Sequence, residues 1–282
     1  MPELPEVETV RRDLDAAVVG RRVASVRIGP RGARSIRRYG PPTGAVGLSI
    51  KSVQRRGKYL VLDLSGDRRA ALVVHLRMSG QLLLAPPGSE DAPHTHVVFG
   101  FADGGDELRF VDPRTFGEVF LSAENDAAEF NLAELAGLGP DALAVADAPA
   151  AVLRSLLAGR RVRAKAWLVD QRRIAGIGNI YSDEILHRAR IRYDRPVGGL
   201  SVPAIARLHE AIGTVLHEAV DLRGSSLSDR QYVDLAGVTG RFQERHLVYD
   251  REGLACLTCA AAVIRRTPFQ QRSTYSCPRC QR

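Results

Sequence analysis

Cysteine is scarce in this chain, and all four cysteines of its 282 residues lie in the last 27. With no other cysteine present, a disulfide framework is disfavoured. Long apolar runs are also missing, since none approaches the roughly 20 residues that a membrane-spanning helix needs. No signal-peptide pattern precedes the acidic N-terminal residues, and we expect a cytoplasmic protein.

The four cysteines form two C-x2-C pairs separated by 17 residues: Cys256, Cys259, Cys277 and Cys280. Two such knuckles can surround a zinc ion tetrahedrally, with each thiolate at about 2.3 Å. We therefore predict one structural Zn²⁺. The intervening segment 263–275 alternates enough to predict a β-hairpin with residues 269–272 near its tip.

Charge is distributed unevenly along the chain, which carries a formal net charge of +8. Residues 21–38 contain seven arginines and no acid, and residues 151–195 contain eleven basic residues against four acids. Residues 251–282 contain six arginines against one glutamate, whereas residues 121–150 contain six acids and no basic residue. A further basic cluster lies over residues 51–58. A single basic run is commonly a solvated face, but four blocks separated by an acidic stretch favour a groove that follows phosphates.

The length allows two domains, and a hydrophobic content of 45% indicates a folded chain. Residues 1–121 predict a helix over 5–19 and then a β-sandwich or barrel. The strands are predicted at 22–28, 50–54, 59–64, 71–76, 81–84, 97–101, 108–111 and 118–121. An acidic linker over 122–149, a helical domain over 150–240 and a zinc-finger hairpin over 241–282 follow. The helices are predicted at 150–157, 162–171, 180–189 and 202–222, and the fold class is α+β.

The first residues combine an amine with a carboxylate. Met1 precedes a small residue, so we expect its removal and a free secondary amine on Pro2. An α-amine has a pKa of about 7.7–8.0, and the positive end of the following helix lowers it further. Glu3 can move protons beside this nucleophile, a pairing suited to Schiff-base chemistry on a sugar carbon. The ordinary alternative is a capped helix with acidic residues in its first turn.

A glycine-containing turn lies between two predicted helices, at residues 176–179 (Gly-Ile-Gly-Asn). As a lone motif it is weak and fits a helix C-cap. Within a basic block, its backbone N–H groups and the next helix N-terminus favour an anion site, and we expect it to bind phosphate.

Five motifs in order carry a family resemblance from end to end. They are the Pro-Glu-Leu-Pro-Glu start, His-Leu-Arg-Met-Ser-Gly at 75–80, Asp-Pro-Arg-Thr-Phe-Gly at 112–117, the turn and helix at 176–181, and the cysteine knuckles. The chain resembles the bacterial formamidopyrimidine-DNA glycosylases, which repair 8-oxoguanine. The resemblance implies an N-terminal helix with a two-sheet β-sandwich, a helix–two-turns–helix domain and a zinc finger, with double-stranded damaged DNA bound between the two halves. We expect the protein to be a monomer that associates with the bacterial nucleoid by binding DNA.

The resemblance also implies catalytic roles. Pro2 would attack C1′ of the damaged nucleotide, and Glu3 would transfer protons as the sugar ring opens. Lys58 would contact DNA phosphate and assist β-elimination, and Arg272 would clamp phosphates and assist δ-elimination. The ordinary alternatives are a solvated turn lysine and a generic basic finger tip.

Further positions match family residues that bind DNA. An enzyme that acts on a base extrudes it from the stack and fills the space left behind. Met78, Arg114 and Phe116 match the family residues that fill this space. Without the resemblance, Met78 and Phe116 would be interpreted as ordinary core residues. His94, Arg160, Lys165 and Asn179 match phosphate-contacting positions; a lone histidine such as His94 is more often structural.

Several positions depart from the family pattern. The cysteine spacing is one residue longer, and Ala260 stands where a glycine often completes the first knuckle. Thr115 replaces a frequent basic residue, and Arg223 replaces a glycine in the loop that covers the flipped base. Two alternatives therefore stay open: the sister endonuclease VIII class, which prefers oxidised pyrimidines, and a zinc-ribbon DNA-binding protein without catalysis.

Overall fold

The computed structural model describes residues 2–30, 40–122, 133–227 and 231–282. The chain divides into two compact units, one of residues 1–137 and 222–241 and one of residues 138–221 and 242–282. The arginines of the basic block at 31–38 lie outside the described residues, as does part of the acidic stretch over 121–150. No helix in the described ranges has the length and apolarity needed to cross a membrane.

The first unit opens with helix α1 (Leu4–Val18), close to the predicted range of 5–19. Its apolar positions recur at helical spacing and are buried, as at Val7, Val10 and Leu14. The helix ends before Gly20, whose φ of +86° suits glycine, and Gly20 donates its N–H to the Ile50 carbonyl. The helix is thereby fastened at its C-terminal end to the first sheet.

Eight strands follow and form two antiparallel four-stranded sheets. They are β1 (Val23–Ile28), β2 (Ser49–Arg56), β3 (Tyr59–Ser65), β4 (Arg69–His75), β5 (Gln81–Ala85), β6 (Thr95–Phe101), β7 (Glu107–Val111) and β8 (Glu118–Leu121). One sheet has the order β2-β3-β4-β8 and the other β1-β6-β7-β5. The α+β prediction is confirmed, and of the two arrangements left open the structure has the sandwich.

The sandwich core lies between these sheets and α1. Alternate residues of β3, such as Leu60 and Leu62, join Phe99 of β6 and Phe110 of β7 in one apolar cluster. Alternation places one face of each strand inward, which is why short Val- and Leu-rich runs identified the strands.

Residues 222–241 belong to the same unit as the sandwich. The sequence pattern instead assigns nearly all of them to the helical domain predicted over 150–240. Leu84 lies in β5, an edge strand of its sheet, and donates its N–H to the Leu235 carbonyl at 3.0 Å. Tyr232 and Leu235 are buried in the sandwich core. The chain therefore returns to its first unit after the long helix that ends at residue 221.

The acidic stretch over 122–149 contains two short helices where a linker is predicted, α2 (Ala133–Ala136) and α3 (Ala142–Asp147). Asp141 caps α3 by accepting a hydrogen bond from the Leu143 N–H.

The second unit continues with α4 (Ala150–Leu157), α5 (Ala164–Val169), α6 (Asn179–Arg188) and α7 (Val202–Asp221). Helix α5 is shorter than the predicted 162–171. Arg163 pairs with Pro196 in an extended bridge before the helix, and Asp170 adopts extended backbone after it. Trp167 of α5 and Tyr181 of α6 are among the largest fully buried side chains.

The hairpin predicted at 263–275 is present as β9 (Arg265–Phe269) and β10 (Arg272–Ser276). Its two-residue turn is Gln270–Gln271, with φ of +47° and +61°. Positive φ at both positions defines a turn that matches strand twist and normally selects Asn-Gly. Val248, Ile264 and Tyr275 form a small core with the cysteines at its base.

Candidate functional site

The N-terminal turn of α1 is buried and held by one carboxylate. Pro2 is buried, and Glu3, the N-cap residue, is only 2% exposed. Glu6 Oε2 accepts the Glu3 N–H at 2.8 Å, and Glu6 Oε1 accepts the Ser225 N–H at 2.7 Å. Glu6 therefore links the predicted nucleophile and proton carrier to the segment that begins with Gly224.

Close packing at Gly224 leaves no room for a larger residue. A Cβ there would lie 2.6 Å from Glu6 Oε1, and φ is +78°. The neighbouring Arg223 also has positive φ, +61°, without being glycine. Its guanidinium Nη2 donates to Asp13 of α1 at 2.5 Å and to Asp234 at 2.6 Å. These ion pairs hold Arg223 in the conformation that glycine would favour, so the departure is accommodated by α1 itself.

Lys58 lies in the two-residue turn between β2 and β3, next to Gly57 with φ of +57°. Arg55 connects this turn to α1: its Nε donates to Glu8 at 2.9 Å and its Nη1 donates to the Gly57 carbonyl at 3.1 Å. Burial alone would raise the pKa of Glu8, but the hydrogen bond and charge of Arg55 outweigh it and lower that pKa. Lys58 is buried, which excludes the solvated turn lysine.

His75 lies beside Lys58 and was not singled out as a site residue. Its Nδ1 accepts the Arg77 N–H at 2.9 Å, and its ring meets Tyr59 edge-on at 4.3 Å. Burial, and then the charges of Arg77 and Lys58, lower the pKa of His75 well below its usual value. The imidazole is therefore neutral near Lys58 at physiological pH. Its place in the motif at 75–80 was visible, but its burial was not.

The loops at 77–80 and 112–117 are organised by Asp112, which is fully buried. Asp112 Oδ1 accepts the Ser79 hydroxyl at 2.5 Å, and Oδ2 accepts the Gly117 N–H at 2.6 Å. Met78 and Phe116, carried on these loops, are 38% and 51% exposed. Core packing, the ordinary alternative for both residues, is therefore excluded.

Arg114 and His94 lie close to the same framework. The Arg114 guanidinium carbon is 5.2 Å from the centre of the Phe116 ring. Thr115 between them has φ of +57°, an unusual conformation for a β-branched residue. His94 is exposed with φ of +68°, and its carbonyl accepts the Asp112 N–H at 3.1 Å.

In the second unit, Asn179 and Lys165 both bind the Ser273 carbonyl of the hairpin. Asn179 Nδ2 donates to it at 3.0 Å and Lys165 Nζ at 3.2 Å. Lys165 is fully buried and also pairs with Asp183 at 2.7 Å. Its ammonium group thus supports the hairpin. A phosphate contact, which the resemblance implies for Lys165, would require this group to be exposed to solvent, and it is not.

Two adjacent carboxylates of α6 anchor the C-terminal segment, and sequence reasoning missed both. Asp183 accepts the Tyr275 N–H at 2.9 Å, and burial raises its pKa to about 7 against the opposing effect of Lys165. Glu184 accepts the N–H groups of residues 247, 248 and 249 at 2.8–3.0 Å. Burial raises the pKa of Glu184, and the three N–H donors oppose it.

The glycine turn before α6 is shaped by Gln171. Its side-chain oxygen accepts the Gly176 N–H at 2.8 Å, and its amide donates to the Ile177 carbonyl at 2.7 Å. Gly176 has φ of +111°, and Gly178 is the N-cap of α6. The turn thus precedes a helix N-terminus, which is the arrangement that binds anions.

The remaining predicted basic residues are exposed. Arg160 lines a cavity of about 420 Å³ together with Trp167 and Arg173. Arg272 begins β10 directly after the hairpin turn and is exposed.

The four cysteine sulfurs converge, all within 4.8 Å of one another. The Sγ atoms of Cys256 and Cys280 are 3.9 Å apart, and those of Cys259 and Cys277 are 3.8 Å apart. A tetrahedron with metal–sulfur bonds of about 2.3 Å has edges of about 3.8 Å, so the cluster fits zinc despite the longer spacing. Ala260 completes the first knuckle with φ of +50° and donates its N–H to the Cys256 carbonyl at 2.9 Å.

Comparisons with known proteins cover both units. Residues 1–119 match the formamidopyrimidine-DNA glycosylase N-terminal domain, and residues 138–231 match the formamidopyrimidine-DNA glycosylase H2TH domain. The chain is 47% identical to the formamidopyrimidine-DNA glycosylase of Salinispora arenicola, over 100% of this chain and 96% of that protein.

Two solved structures show the same fold. The MutM (Fpg) protein of Thermus thermophilus aligns with a TM-score of 0.84 and 41% identity, over 99% of this chain and 98% of that one. Lactococcus lactis Fpg, in complex with DNA containing an oxidised pyrimidine, aligns with a TM-score of 0.84 and 31% identity, over 100% of both chains.

We predict that His75 makes stability depend on pH. A histidine whose pKa is lowered by folding stabilises the native state above about pH 6.5, its value in the unfolded chain, and this contribution is lost as the pH falls below that value. Replacing His75 with glutamine should make the decline in unfolding free energy below pH 6.5 shallower, by up to about 1.4 kcal/mol per pH unit. Urea unfolding from pH 7.5 to 5 measures it. His94→Gln, an exposed position, is the control, and equal slopes for wild type and His75→Gln would contradict the prediction.

We also predict that Ala260→Gly stabilises the finger. A left-handed conformation costs an L-residue about 1–2 kcal/mol, and glycine avoids most of that cost. The free energy of unfolding, measured in urea, should be about 1 kcal/mol higher for this variant than for the wild type. Ala261→Gly, at a position whose φ is not positive, should leave that free energy unchanged or lower it. A loss of stability in Ala260→Gly would refute this.

Proposed function

Because the chain belongs to the formamidopyrimidine-DNA glycosylase family, we propose that it excises oxidised purines, 8-oxoguanine and formamidopyrimidines, from duplex DNA and then cuts the strand. The family acts in base excision repair as glycosylase and AP lyase. The observation that carries the proposal is the segment before α1, where Pro2 and Glu3 are buried and Glu6 accepts the Glu3 N–H.

The proposed reaction begins when the Pro2 nitrogen attacks C1′ of the damaged nucleotide. The bond between C1′ and the base breaks, its electron pair leaves with the base, and the Pro2 nitrogen, now bonded to C1′, loses its proton. The Schiff base on Pro2 forms when the bond from C1′ to the sugar ring oxygen breaks, with that electron pair going to the oxygen. Glu3 donates a proton to the sugar ring oxygen as the ring opens. Loss of the C2′ proton then expels the 3′ phosphate, and δ-elimination expels the 5′ phosphate.

Lys58 and Arg272 are the proposed partners of these eliminations. Lys58 stands beside a neutral His75, so that ring adds no charge to the proposed contact between Lys58 and a phosphate. Arg272 is exposed on a turn whose strand is held by Lys165, Asn179 and Asp183. For Lys165 we therefore propose a supporting role in place of a direct phosphate contact.

Met78, Arg114 and Phe116 are proposed to fill the stack after the base is extruded. Met supplies adaptable apolar volume, Phe a wedge and Arg donors to the orphaned base. Their exposure on loops fixed by Asp112 supports this role. His94, Arg160 and Asn179 are proposed to contact phosphates.

One Zn²⁺ held by the four cysteines is proposed as a structural ion. It would hold together the two knuckles, whose own apolar core is small. We further propose that the protein acts as a monomer in the bacterial cytoplasm, where it associates with the nucleoid through DNA.

A nicking assay on matched duplexes tests the substrate class. We expect faster strand cleavage at 8-oxoguanine than at thymine glycol. The Lactococcus complex with an oxidised pyrimidine favours activity on pyrimidine lesions as the second candidate. Faster cleavage at thymine glycol would select it, and no cleavage of either duplex would favour a non-catalytic DNA-binding protein.

Blocking the Pro2 nitrogen should abolish covalent chemistry. A retained N-terminal extension converts the amine into an amide, which cannot form a Schiff base, and Pro2→Gly should greatly slow cleavage. Borohydride trapping on 8-oxoguanine DNA measures the adduct. The control is the same extended protein with a protease site, cleaved so that the Pro2 amine is free again. Full trapping by the uncleaved protein would show that Pro2 is not the nucleophile.

Met78→Ala should impair excision of 8-oxoguanine more than cleavage at a preformed abasic site. Extruding a base costs a few kcal/mol, and part of this is absent when the base is missing. Arg114→Ala should additionally weaken discrimination among opposite bases. Single-turnover rates on both duplexes, with a melting curve for each variant, provide the test. Equal losses on both substrates would argue against the filling role.

A further inference from the structure

The cysteine knuckles border a second basic cavity that takes no part in the proposed reaction. It has a volume of about 490 Å³. Five arginines line it with Thr258: Arg190, Arg195, Arg207, Arg279 and Arg282. They come from the segment after α6, from α7 and from the second knuckle, so distant parts of the sequence converge on one concave surface.

Two of these five guanidinium groups, those of Arg195 and Arg207, are oriented by main-chain oxygens. Arg195 donates to the Arg282 carbonyl at 3.3 Å, and Arg207 donates to the carbonyls of Ala189 and Pro203 at 3.4 and 3.3 Å. Within the described part of the chain, none of the five forms an ion pair with an aspartate or glutamate.

Other arginines of the same unit are paired with acids. Arg173 pairs with Asp170 at 3.1 Å, and Arg188 and Arg245 pair with Glu218 at 3.5 and 2.9 Å. Even beside the two negative charges of a zinc tetrathiolate, the five arginines leave a clear positive excess.

The cavity lies away from two of the residues proposed to bind DNA in this unit, Asn179 and Arg272. Asn179 begins α6, whereas Arg190 follows its far end, and ten helical residues span about 15 Å. Arg272 begins β10, whereas Arg279 follows its far end, and five strand residues span about 17 Å. The same duplex phosphates would therefore not be expected to reach both places.

Exposed leucines distinguish this surface from a phosphate-binding one. Leu257, next to Thr258, is 62% exposed, and Leu254 is 51% exposed. Among the described residues, no other leucine is exposed to this degree. Val263, 52% exposed, lies on the segment that pairs with residues 254 and 255. Exposed apolar side chains on and around the first knuckle, which borders the arginines, suit a peptide with both carboxylates and apolar residues, since arginine forks pair well with carboxylates.

We propose that this knuckle cavity is a docking site for an acidic, partly apolar peptide segment of a partner protein. The arginines bind the carboxylates of the segment, and Leu257 packs against its apolar side chain. Docking at the knuckles leaves the hairpin tip and the start of α6 available to DNA.

Fluorescence anisotropy with the full-length, metal-loaded protein tests this. The probe is a short labelled peptide that combines consecutive aspartates with leucine and phenylalanine, and the matched probe has asparagine at each aspartate. Arg207→Glu combined with Arg279→Glu should weaken binding of the acidic probe about tenfold or more, since each charge-assisted contact contributes strongly. Leu257→Ser should weaken binding without changing the charge.

The control variant is Arg154→Glu on α4, which reverses an exposed charge outside the cavity. It should bind the probe like the wild type, and all variants should retain zinc content, affinity for abasic-site DNA and nicking rate within about twofold. No binding of the acidic probe by the wild type would overturn the proposal, as would equal binding of the asparagine probe. A loss of DNA affinity in the double variant that matches its loss of peptide affinity would assign the cavity to DNA.

Discussion

Buried carboxylates that accept backbone N–H groups hold several non-helical segments of this molecule in place. An ionised carboxylate away from water is costly unless hydrogen bonds replace its hydration. Glu6 satisfies this with the N–H groups of residues 3 and 225, and Glu184 with three consecutive N–H groups at 247–249. Each carboxylate therefore constrains a segment of backbone that lies outside the helices and strands.

The same principle explains how exposed residues of the proposed site are carried on backbone that buried groups hold in place. Met78 and Phe116 project from loops whose backbones close around Asp112. Arg272 projects from a strand fixed by the buried Lys165–Asp183 pair. Removing one partner of such a pair leaves an uncompensated buried charge, commonly at a cost of about 3–5 kcal/mol.

Much of the fold was predictable because periodicity reflects burial. The apolar spacing of α1 and the short alternating strands identified the sandwich, and the paired knuckles identified the cysteine cluster. The carboxylates were not predictable in this way, since Asp183 and Glu184 resemble the solvated residues of an amphipathic helix. Residues 180–187 are in fact buried all round. Lys165 matched a basic family position, but its partner lies 18 residues away on another helix, and spacing alone does not reveal such a pair.

The single tryptophan gives the two units different optical visibility. Trp167 lies on α5 in the second unit and is 1% exposed. Its emission therefore reports the environment of the helices and finger, while the sandwich that carries Pro2 contributes only tyrosine fluorescence. A titration that excites tryptophan selectively would follow events in the second unit alone. Comparing it with circular dichroism, which sees both units, would reveal whether they unfold together or in succession.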